Sequence, residues 1–312
     1  MPLPAPQIVP SRPFLKWAGG KGQLIAQYEP YFPANFKTYY EPFLGGGAVF
    51  FHLAQRLDTA ILMDINPELI NVYCCVREQV EAVIEQLSRY QQNHCKDHYY
   101  QVRASLESTP VKRAARFIYL NKTCYNGLYR ENLKGQFNVP MGRYKNPKIC
   151  DADLLRRAAI ALRPTQILAQ PFSQVLNCAT DEDFVYLDPP YHPISATSSF
   201  TAYSRHAFKK ADQEKLQQVF SQLTARGVRV MLSNSDCAFI RSLYQGFYIH
   251  RIQASRSINT KAQQRGQISE LLITSYPTDS NSTASACRQQ LSCQPVPSTR
   301  SRLYSLTQAA AA

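Results

Sequence analysis

The 312-residue sequence contains no run of about 18 apolar residues, so it predicts no membrane-spanning helix. Its N-terminus is rich in proline and lacks an apolar segment, and we therefore expect no secretory signal peptide there. No Cys-x-x-Cys pair occurs among the nine cysteines, so we expect no metal site and interpret the cysteines as reduced thiols. These absences are typical of a cytosolic protein.

Glycine is scarce, and its distribution is uneven. Six of the twelve glycines lie between Gly19 and Gly47. Such a cluster indicates backbone that turns tightly or approaches a ligand closely. Residues 45–47 lack the spacing of a dinucleotide fingerprint, and no Lys-Ser/Thr pair follows them, which excludes a P-loop.

Acidic residues are few relative to basic ones. The chain has 35 lysines and arginines against 22 acids, a net charge of +13, which predicts an anionic partner. Residues 112–148 contain nine basic residues and one acid, Glu131, interleaved with aromatic and turn-forming residues. This mixture favours a nucleic-acid surface over a merely solvated basic face. A hydrophobic content of 45% is sufficient for a full core.

Alternating strand and helix patterns predict an α/β fold. The strand candidates are residues 38–44, 60–64, 184–187, 228–232 and 270–275, and the helix candidates are residues 48–57, 67–92, 213–225 and 236–244. Residues 38–64 have the order strand, glycine turn, helix, strand, acid, as in the first half of a nucleotide-binding unit. Asp64 therefore stands where an acid can accept from ribose hydroxyls.

The most specific motif is Asp188-Pro189-Pro190-Tyr191, which follows a strand candidate directly. A Pro-Pro turn at the end of a parallel strand holds a carboxylate and a main-chain carbonyl side by side. Two acceptors in fixed register suit an exocyclic amine, which has two N–H donors. Tyr191 offers a face on which a planar ring can stack. The Trp- and Lys-containing segment 14–21 is a second candidate for a loop that contacts a ligand.

Together these motifs resemble the Dam-type DNA adenine-N6 methyltransferases, which act at GATC. The resemblance covers residues 13–276 and keeps the family's motif order. The matching motifs are Phe14-Leu-Lys-Trp-Ala-Gly-Gly-Lys21, Glu41-Pro-Phe43 with its glycines, Asp64-Ile-Asn66, Tyr119-Leu-Asn-Lys, Tyr125-Asn-Gly-Leu-Tyr-Arg130, Gly135-Gln-Phe-Asn-Val-Pro140, Gly142-Arg-Tyr144, Asp188-Pro-Pro-Tyr191, Phe200-Thr-Ala-Tyr203 and Leu232-Ser-Asn-Ser-Asp236.

The resemblance implies S-adenosylmethionine as the methyl donor and no metal. It implies that Asp188, Pro189 and Tyr191 are catalytic, and that Asp188 also lies against the donor. The other implied cofactor-binding residues are Trp17, Lys21, Phe43, Gly45, Gly47, Asp64 and Phe172. Phe172 stands where a close relative has tyrosine, so a hydroxyl contact is lost there.

The resemblance also implies double-stranded DNA as the partner and flipping of the target adenine out of the duplex. Tyr125 matches a residue that wedges into the site, and Asn126 one that contacts the backbone. Leu128 and Pro140 match contacts to thymine, and Tyr144 belongs to the same DNA-binding set. Arg130 and Lys16 match guanine contacts, which for arginine means bidentate bonding to O6 and N7.

The family implies a Rossmann-like methyltransferase sheet with an inserted helical DNA-recognition domain. We expect an N-terminal extension at 1–12, a catalytic domain at 13–75 plus 160–276, an insertion at 76–159 and a disordered tail at 277–312. The expected protein is a monomer in a prokaryotic-type cytoplasm, associated with the nucleoid through DNA. Its motifs fit a solitary enzyme and the partner of a restriction nuclease equally.

Departures from the family pattern concern the expected grip on DNA. Ser235 replaces a histidine, and residues 259–264 differ from the usual glycine-bearing loop. Two other functions stay open at this point. One is methylation of another exocyclic amine or amide, in RNA or a protein glutamine, although such relatives carry Asn before Pro-Pro-Tyr. The other is a DNA-binding protein that has lost catalysis.

Overall fold

Seven strands form one sheet in the order β3-β2-β1-β4-β5-β7-β6. The computed structural model describes residues 11–132, 134–194, 208–255 and 267–278. Strands β1 to β5 are parallel, whereas β7 runs antiparallel to both β5 and β6. The strands are β1 Thr38–Glu41, β2 Thr59–Asp64, β3 Thr165–Ala169, β4 Phe184–Leu187, β5 Arg229–Ser235, β6 Tyr248–Ser255 and β7 Gln267–Thr274.

Helices cover both faces of this sheet and give two apolar clusters. The helices are α1 Ile25–Tyr28, α2 Ala48–Leu53, α3 Pro67–Glu78, α4 Val80–Gln92, α5 Lys96–Ala104, α6 Pro110–Thr123, α7 Ala152–Leu162, α8 Lys210–Ala225 and α9 Ala238–Leu243. Short 3₁₀ turns lie at Lys21–Gln23, Glu29–Tyr31, Ala54–Arg56, Tyr125–Gly127 and Phe172–Asn177. The predicted Rossmann-like α/β fold is confirmed.

Local sequence explains where the central elements begin. All four residues of β4 are buried and apolar or aromatic, as expected for a strand covered on both faces. Asn66 caps α3 by accepting from the backbone N–H groups of Glu68 and Leu69, and Pro67 occupies the first helical position. Thr109 caps α6 in the same way and is also followed by proline.

The prediction of one helix over residues 67–92 is wrong. Gln79, with φ −136° and ψ 40°, leaves the helical conformation and separates α3 from α4. No proline or glycine marks this break, and the apolar pattern continues across it. Packing explains the change of direction, because α3 and α4 both pack against α6 and α7.

Five helices, α3 to α7, lie between β2 and β3, where a simple α/β unit needs only one. The ends assigned to the insertion, 75/76 and 159/160, fall within α3 and α7, which pack against each other. The division into a catalytic domain and an insertion stays a prediction.

Several predicted features lie outside the described residues: the motif at 200–203, the segment at 259–264, most of the N-terminal extension and the tail beyond Thr278. The seven cysteines among the described residues are free thiols.

Candidate active site

The site lies at the point in the sheet where the strand order reverses. Strand β1 is flanked there by β2 on one side and by β4 on the other. In an open α/β sheet the loops that leave such a switch point on opposite faces form a crevice at the carboxyl edge. Three predicted features meet at this edge: the glycine loop 42–47 after β1, Asp64 at the end of β2 and Asp188 after β4.

The glycine loop is held to Asp64 by a backbone contact. Gly45 donates its N–H to Asp64 Oδ2 at 3.1 Å, and Tyr73 donates its hydroxyl to the Gly45 carbonyl at 3.0 Å. Gly45 has φ +47° and Gly47 φ +66°, which glycine adopts with little strain. Burial raises the pKa of Asp64, and backbone N–H groups oppose that shift.

Trp17 lies directly on the glycine loop. A Cβ atom at Gly45 would come within 2.7 Å of Trp17 Cδ1, so glycine is needed for this approach. The indole then stacks with Tyr129 at 5.9 Å and with Phe117 at 6.3 Å between ring centroids. Trp17 therefore connects the glycine loop to α6 and to the residue before Arg130.

Aromatic rings form an apolar wall beside the loop. Phe43 and Phe172 stack at 5.2 Å with an interplanar angle of 23°. Phe208 meets both rings, at 5.8 Å and 6.0 Å. Sequence reasoning missed Phe208, because no motif includes it.

Within the described part of the chain, two side chains bond the Asp188 carboxylate, and both reach the same oxygen. Lys21 Nζ and Ser233 Oγ each lie 2.8 Å from Asp188 Oδ1. Lys21 is almost fully buried, at 3% exposed, whereas Asp188 remains 22% exposed. Ser233, on β5, was not predicted, since it lies 45 residues away in sequence.

Glu41 is a second carboxyl group near Lys21, but it is buried. It accepts from the Tyr39 hydroxyl at 2.7 Å and from the Phe50 N–H at 3.0 Å. Burial raises the pKa of Glu41 to about 8, opposed by the Tyr39 hydrogen bond and reinforced by Asp188. A neutral Glu41 leaves Asp188 as the charged partner of Lys21.

Polar side chains fix the Pro-Pro turn. Gln213 Nε2 donates to the Pro190 carbonyl at 2.9 Å, and Asn234 binds Gln213 at 3.0 Å. Asn234 Oδ1 also accepts from the His192 N–H at 3.1 Å. Ser235, noted as a departure from the family, donates to the His192 carbonyl at 2.7 Å and so supports the same turn.

Tyr191 is anchored at its ring and at its hydroxyl. Lys21 Nζ lies 4.7 Å from the ring centroid, within cation–π range. The hydroxyl donates to Glu270 Oε2, on β7, at 2.7 Å. Burial raises the pKa of Tyr191 well above its usual value, so the hydroxyl stays protonated. Sequence reasoning missed Glu270.

A surface built around the turn Tyr125–Gly127 carries the predicted DNA-contacting residues. They are Lys16, Tyr125, Asn126, Leu128, Arg130, Pro140 and Tyr144. Tyr125 is 47% exposed and donates its N–H to the Pro140 carbonyl at 2.9 Å. Asn126 adopts φ 54°, a left-handed conformation that asparagine tolerates.

Lys16 joins this turn from the loop that also carries Trp17. A Cβ atom at Gly127 would lie 2.6 Å from Lys16 Cβ, and Asn121 bonds both backbone groups of Lys16, at 2.8 and 2.6 Å. Lys16 Nζ lies 3.9 Å from the Tyr144 ring centroid.

Asn138 holds the Arg130 side chain through two hydrogen bonds. Arg130 Nε donates to Asn138 Oδ1 at 2.6 Å and Arg130 Nη2 to the Asn138 carbonyl at 3.1 Å. Nearby, the pKa of Lys122 is lowered to about 8, chiefly by burial and also by the charge of Lys16.

Comparison with known proteins identifies the family of this chain. Residues 17–258 match the model of the D12 class N6 adenine-specific DNA methyltransferases. The chain belongs to this family.

The matches to three relatives cover nearly the whole length of each relative. The D12-class chain is 45% identical to the type II methyltransferase M.MjaIII of Methanocaldococcus jannaschii, over 85% of this chain and 99% of that protein. It is 43% identical to the type II methyltransferase M1.LlaDCHI of Lactococcus lactis subsp. cremoris, over 85% and 95%. It is 36% identical to the DNA adenine methylase of Escherichia coli K12, over 86% and 96%.

Membership of the D12 class implies S-adenosylmethionine as methyl donor and DNA as substrate. The crevice suits this donor: it offers Asp64, a glycine loop open to close backbone approach, and the wall of Phe43 and Phe172. Among the described residues no group of His, Cys, Asp and Glu side chains could hold a metal ion. No helix within the described ranges is long and apolar enough to cross a membrane.

Proposed function

We propose that this D12-class methyltransferase methylates N6 of adenine within GATC in duplex DNA, after the base has left the stack. The Asp188 carboxylate carries the proposal. Lys21 and Ser233 occupy Oδ1, which directs Oδ2 toward an incoming donor. The adenine amino group is such a donor, and the Pro189 carbonyl accepts its second hydrogen.

S-adenosylmethionine, when bound, supplies the methyl group: the amine nitrogen forms the N–C bond, the C–S pair stays on sulfur and the nitrogen releases a proton. The chain's own contribution is positioning and electrostatics. Asp188 and Pro189 orient the nitrogen lone pair, and Tyr191 provides the stacking surface. Asp64 holds the ribose, and Trp17, Lys21, Phe43, Gly45, Gly47 and Phe172 line the donor's pocket.

Base flipping is supported by the depth of the site. Asp188 lies at the carboxyl edge of the sheet and is only 22% exposed, next to the Tyr191 ring. A base that remains stacked in a duplex cannot reach both groups, so the adenine must rotate out.

The proposal that GATC is the recognised sequence rests on two basic side chains. Each strand of this palindrome carries one guanine, and Lys16 and Arg130 can each bind guanine O6 and N7. Asn138 holds the Arg130 guanidinium in place, and Gly127 packs against Lys16. Tyr125, Asn126, Leu128, Pro140 and Tyr144 would complete the contact surface.

The test is methyl transfer to synthetic duplexes from labelled S-adenosylmethionine. We expect kcat/KM to be highest for GATC and to fall at least tenfold for each singly substituted site. Digestion of the product should yield N6-methyladenine. Equal rates on all duplexes would overturn the proposed site, and label in cytosine would overturn the proposed target.

A further inference from the structure

A carboxylate on β7 contacts the catalytic motif from outside it. Glu270 Oε2 accepts from the Tyr191 hydroxyl at 2.7 Å, although the two residues lie 79 positions apart. We propose that Glu270 is a positioning residue for methyl transfer, fixing the Tyr191 ring on which the target adenine stacks. This inference rests on the proposed function.

The backbone that carries Glu270 is rigidly placed. Glu270 pairs with Ser235 of β5 on one side and with Ile252 of β6 on the other. The next three residues of β7, Leu271, Leu272 and Ile273, are fully buried. An acceptor on such a strand can fix the end of a long side chain more precisely than an acceptor on a loop.

The hydrogen bond has a defined direction. Burial raises the pKa of the Tyr191 hydroxyl, as do Tyr28, Asp188 and Glu270 around it. The hydroxyl therefore donates, and the carboxylate accepts. Hydrogen bonds to an ionised acceptor are stronger than neutral ones.

Tyr191 is the side-chain partner of Glu270 that the structure shows. Within the described ranges, no lysine or arginine forms an ion pair with it. A half-buried carboxylate costs free energy unless it is hydrogen-bonded, and the Tyr191 hydroxyl donates such a bond to Glu270. The geometry therefore supports a role for Glu270 in holding Tyr191.

The contact completes a continuous chain of polar interactions to Asp188. Glu270 binds the Tyr191 hydroxyl, Lys21 lies over the Tyr191 ring, and Lys21 and Ser233 bind Asp188 Oδ1. The stacking surface and the amine acceptor are thus fixed relative to each other. Without Glu270 the ring keeps its backbone attachment and its contact with Lys21, and it loses the hydrogen bond from its hydroxyl to Glu270.

The experiment is a double-mutant cycle on total methyl transfer to plasmid DNA, which does not depend on the proposed site. Glu270→Ala and Tyr191→Phe should each lower kcat about tenfold, with the KM for DNA and the Kd for S-adenosylmethionine within twofold of wild type. The double variant should lose no more than either single one. Glu270→Gln, which keeps an acceptor oxygen, should recover most of the loss.

Glu182→Ala is the matched control, because Glu182 is 63% exposed and pairs with Lys37 in a surface contact at 3.0 Å. It should leave kcat unchanged. The inference would be overturned if the losses of kcat from the two single variants multiplied in the double variant. It would also be overturned if Glu270→Gln lowered kcat as much as Glu270→Ala. Absence of any transfer by wild type would instead overturn the proposed function itself.

Discussion

One oxygen of Asp188 receives both of the hydrogen bonds that hold its carboxylate. Lys21 provides a buried charge and Ser233 a neutral hydroxyl, each at 2.8 Å. Ser233 is itself fixed by the Tyr186 hydroxyl at 3.0 Å. The arrangement orients the second oxygen, Oδ2, without using it as the acceptor of either bond. A binding site for an amine requires such an acceptor.

Asp188→Ala should abolish methyl transfer and leave the fold intact, because it removes an acceptor from a partly exposed edge. Ser233→Ala should lower kcat only about tenfold, since the Lys21 bond remains. Initial rates with labelled S-adenosylmethionine measure both effects, and thermal unfolding and duplex binding serve as controls. Near wild-type turnover by Asp188→Ala would refute the mechanism.

At this scale the sequence predicted the residues that belong to contiguous motifs. Asp188 and Tyr191 could be predicted as site residues because a Pro-Pro turn fixes them next to each other. Ser233, Glu270 and Phe208 were missed, since their partners are distant in sequence and a lone Ser, Glu or Phe in a strand or loop carries no local signal.

Among the structural elements, the glycine loop and the Tyr125–Gly127 turn each meet a residue of the segment that carries Lys16 and Trp17. We propose that the loop contacts the donor and that the turn contacts DNA. The stack of Trp17, Tyr129 and Phe117 connects them.

Gly45→Ala should weaken binding of S-adenosylmethionine at least tenfold. The added Cβ would lie 2.7 Å from Trp17 Cδ1, at a backbone φ of +47°. Gly22→Ala is the control, because nothing lies within 4 Å of its added Cβ. Isothermal titration measures both Kd values, and equal affinities for the two variants would show that the loop does not need this close approach.

Arg130→Ala should relax discrimination at one guanine of the site, because a bidentate arginine–guanine pair is worth about 1–3 kcal/mol. Asn138→Ala should produce a weaker form of the same change. Lys145→Ala, if Lys145 meets phosphate, should weaken all duplexes alike and reduce the salt slope by about one unit. The comparison needs kcat/KM for GATC and each substituted duplex at two salt concentrations. If Arg130→Ala lowers kcat/KM by the same factor on every duplex, the role of Arg130 is electrostatic.

Strong local patterns predicted β1, β2, β4, β5 and β7, with ends that differ by a few residues. Strands β3 and β6 were missed: they are the edges of the sheet, and their mixed polar and apolar residues lack a buried-strand run. The break at Gln79 was also missed, because tertiary packing rather than local sequence imposes it.

For the whole molecule, Glu41 makes stability depend on pH. Its pKa is raised from 4.5 to about 8 in the folded protein, chiefly by burial. Between these values the folded state keeps a proton that the unfolded state has lost, so this residue's contribution to stability falls as pH rises.

Glu41→Gln removes this dependence. The free energy of unfolding of wild type relative to this variant should therefore decrease from pH 5 to pH 8, as measured by urea unfolding. Glu182→Gln changes an exposed carboxylate and is the control. A difference between wild type and Glu41→Gln that is constant with pH would contradict the assignment.

The net charge of +13 indicates an anionic partner, and we propose that DNA binds at the carboxyl edge of the sheet. We propose that Asp188 receives a flipped adenine from GATC. Single-base sequencing of plasmid DNA treated with S-adenosylmethionine and either wild type or Asp188→Ala tests it most directly. We predict N6-methyladenine at GATC with wild type and none with the variant. Methylated adenines at other sequences, methylated cytosines, or methylation by Asp188→Ala would contradict it.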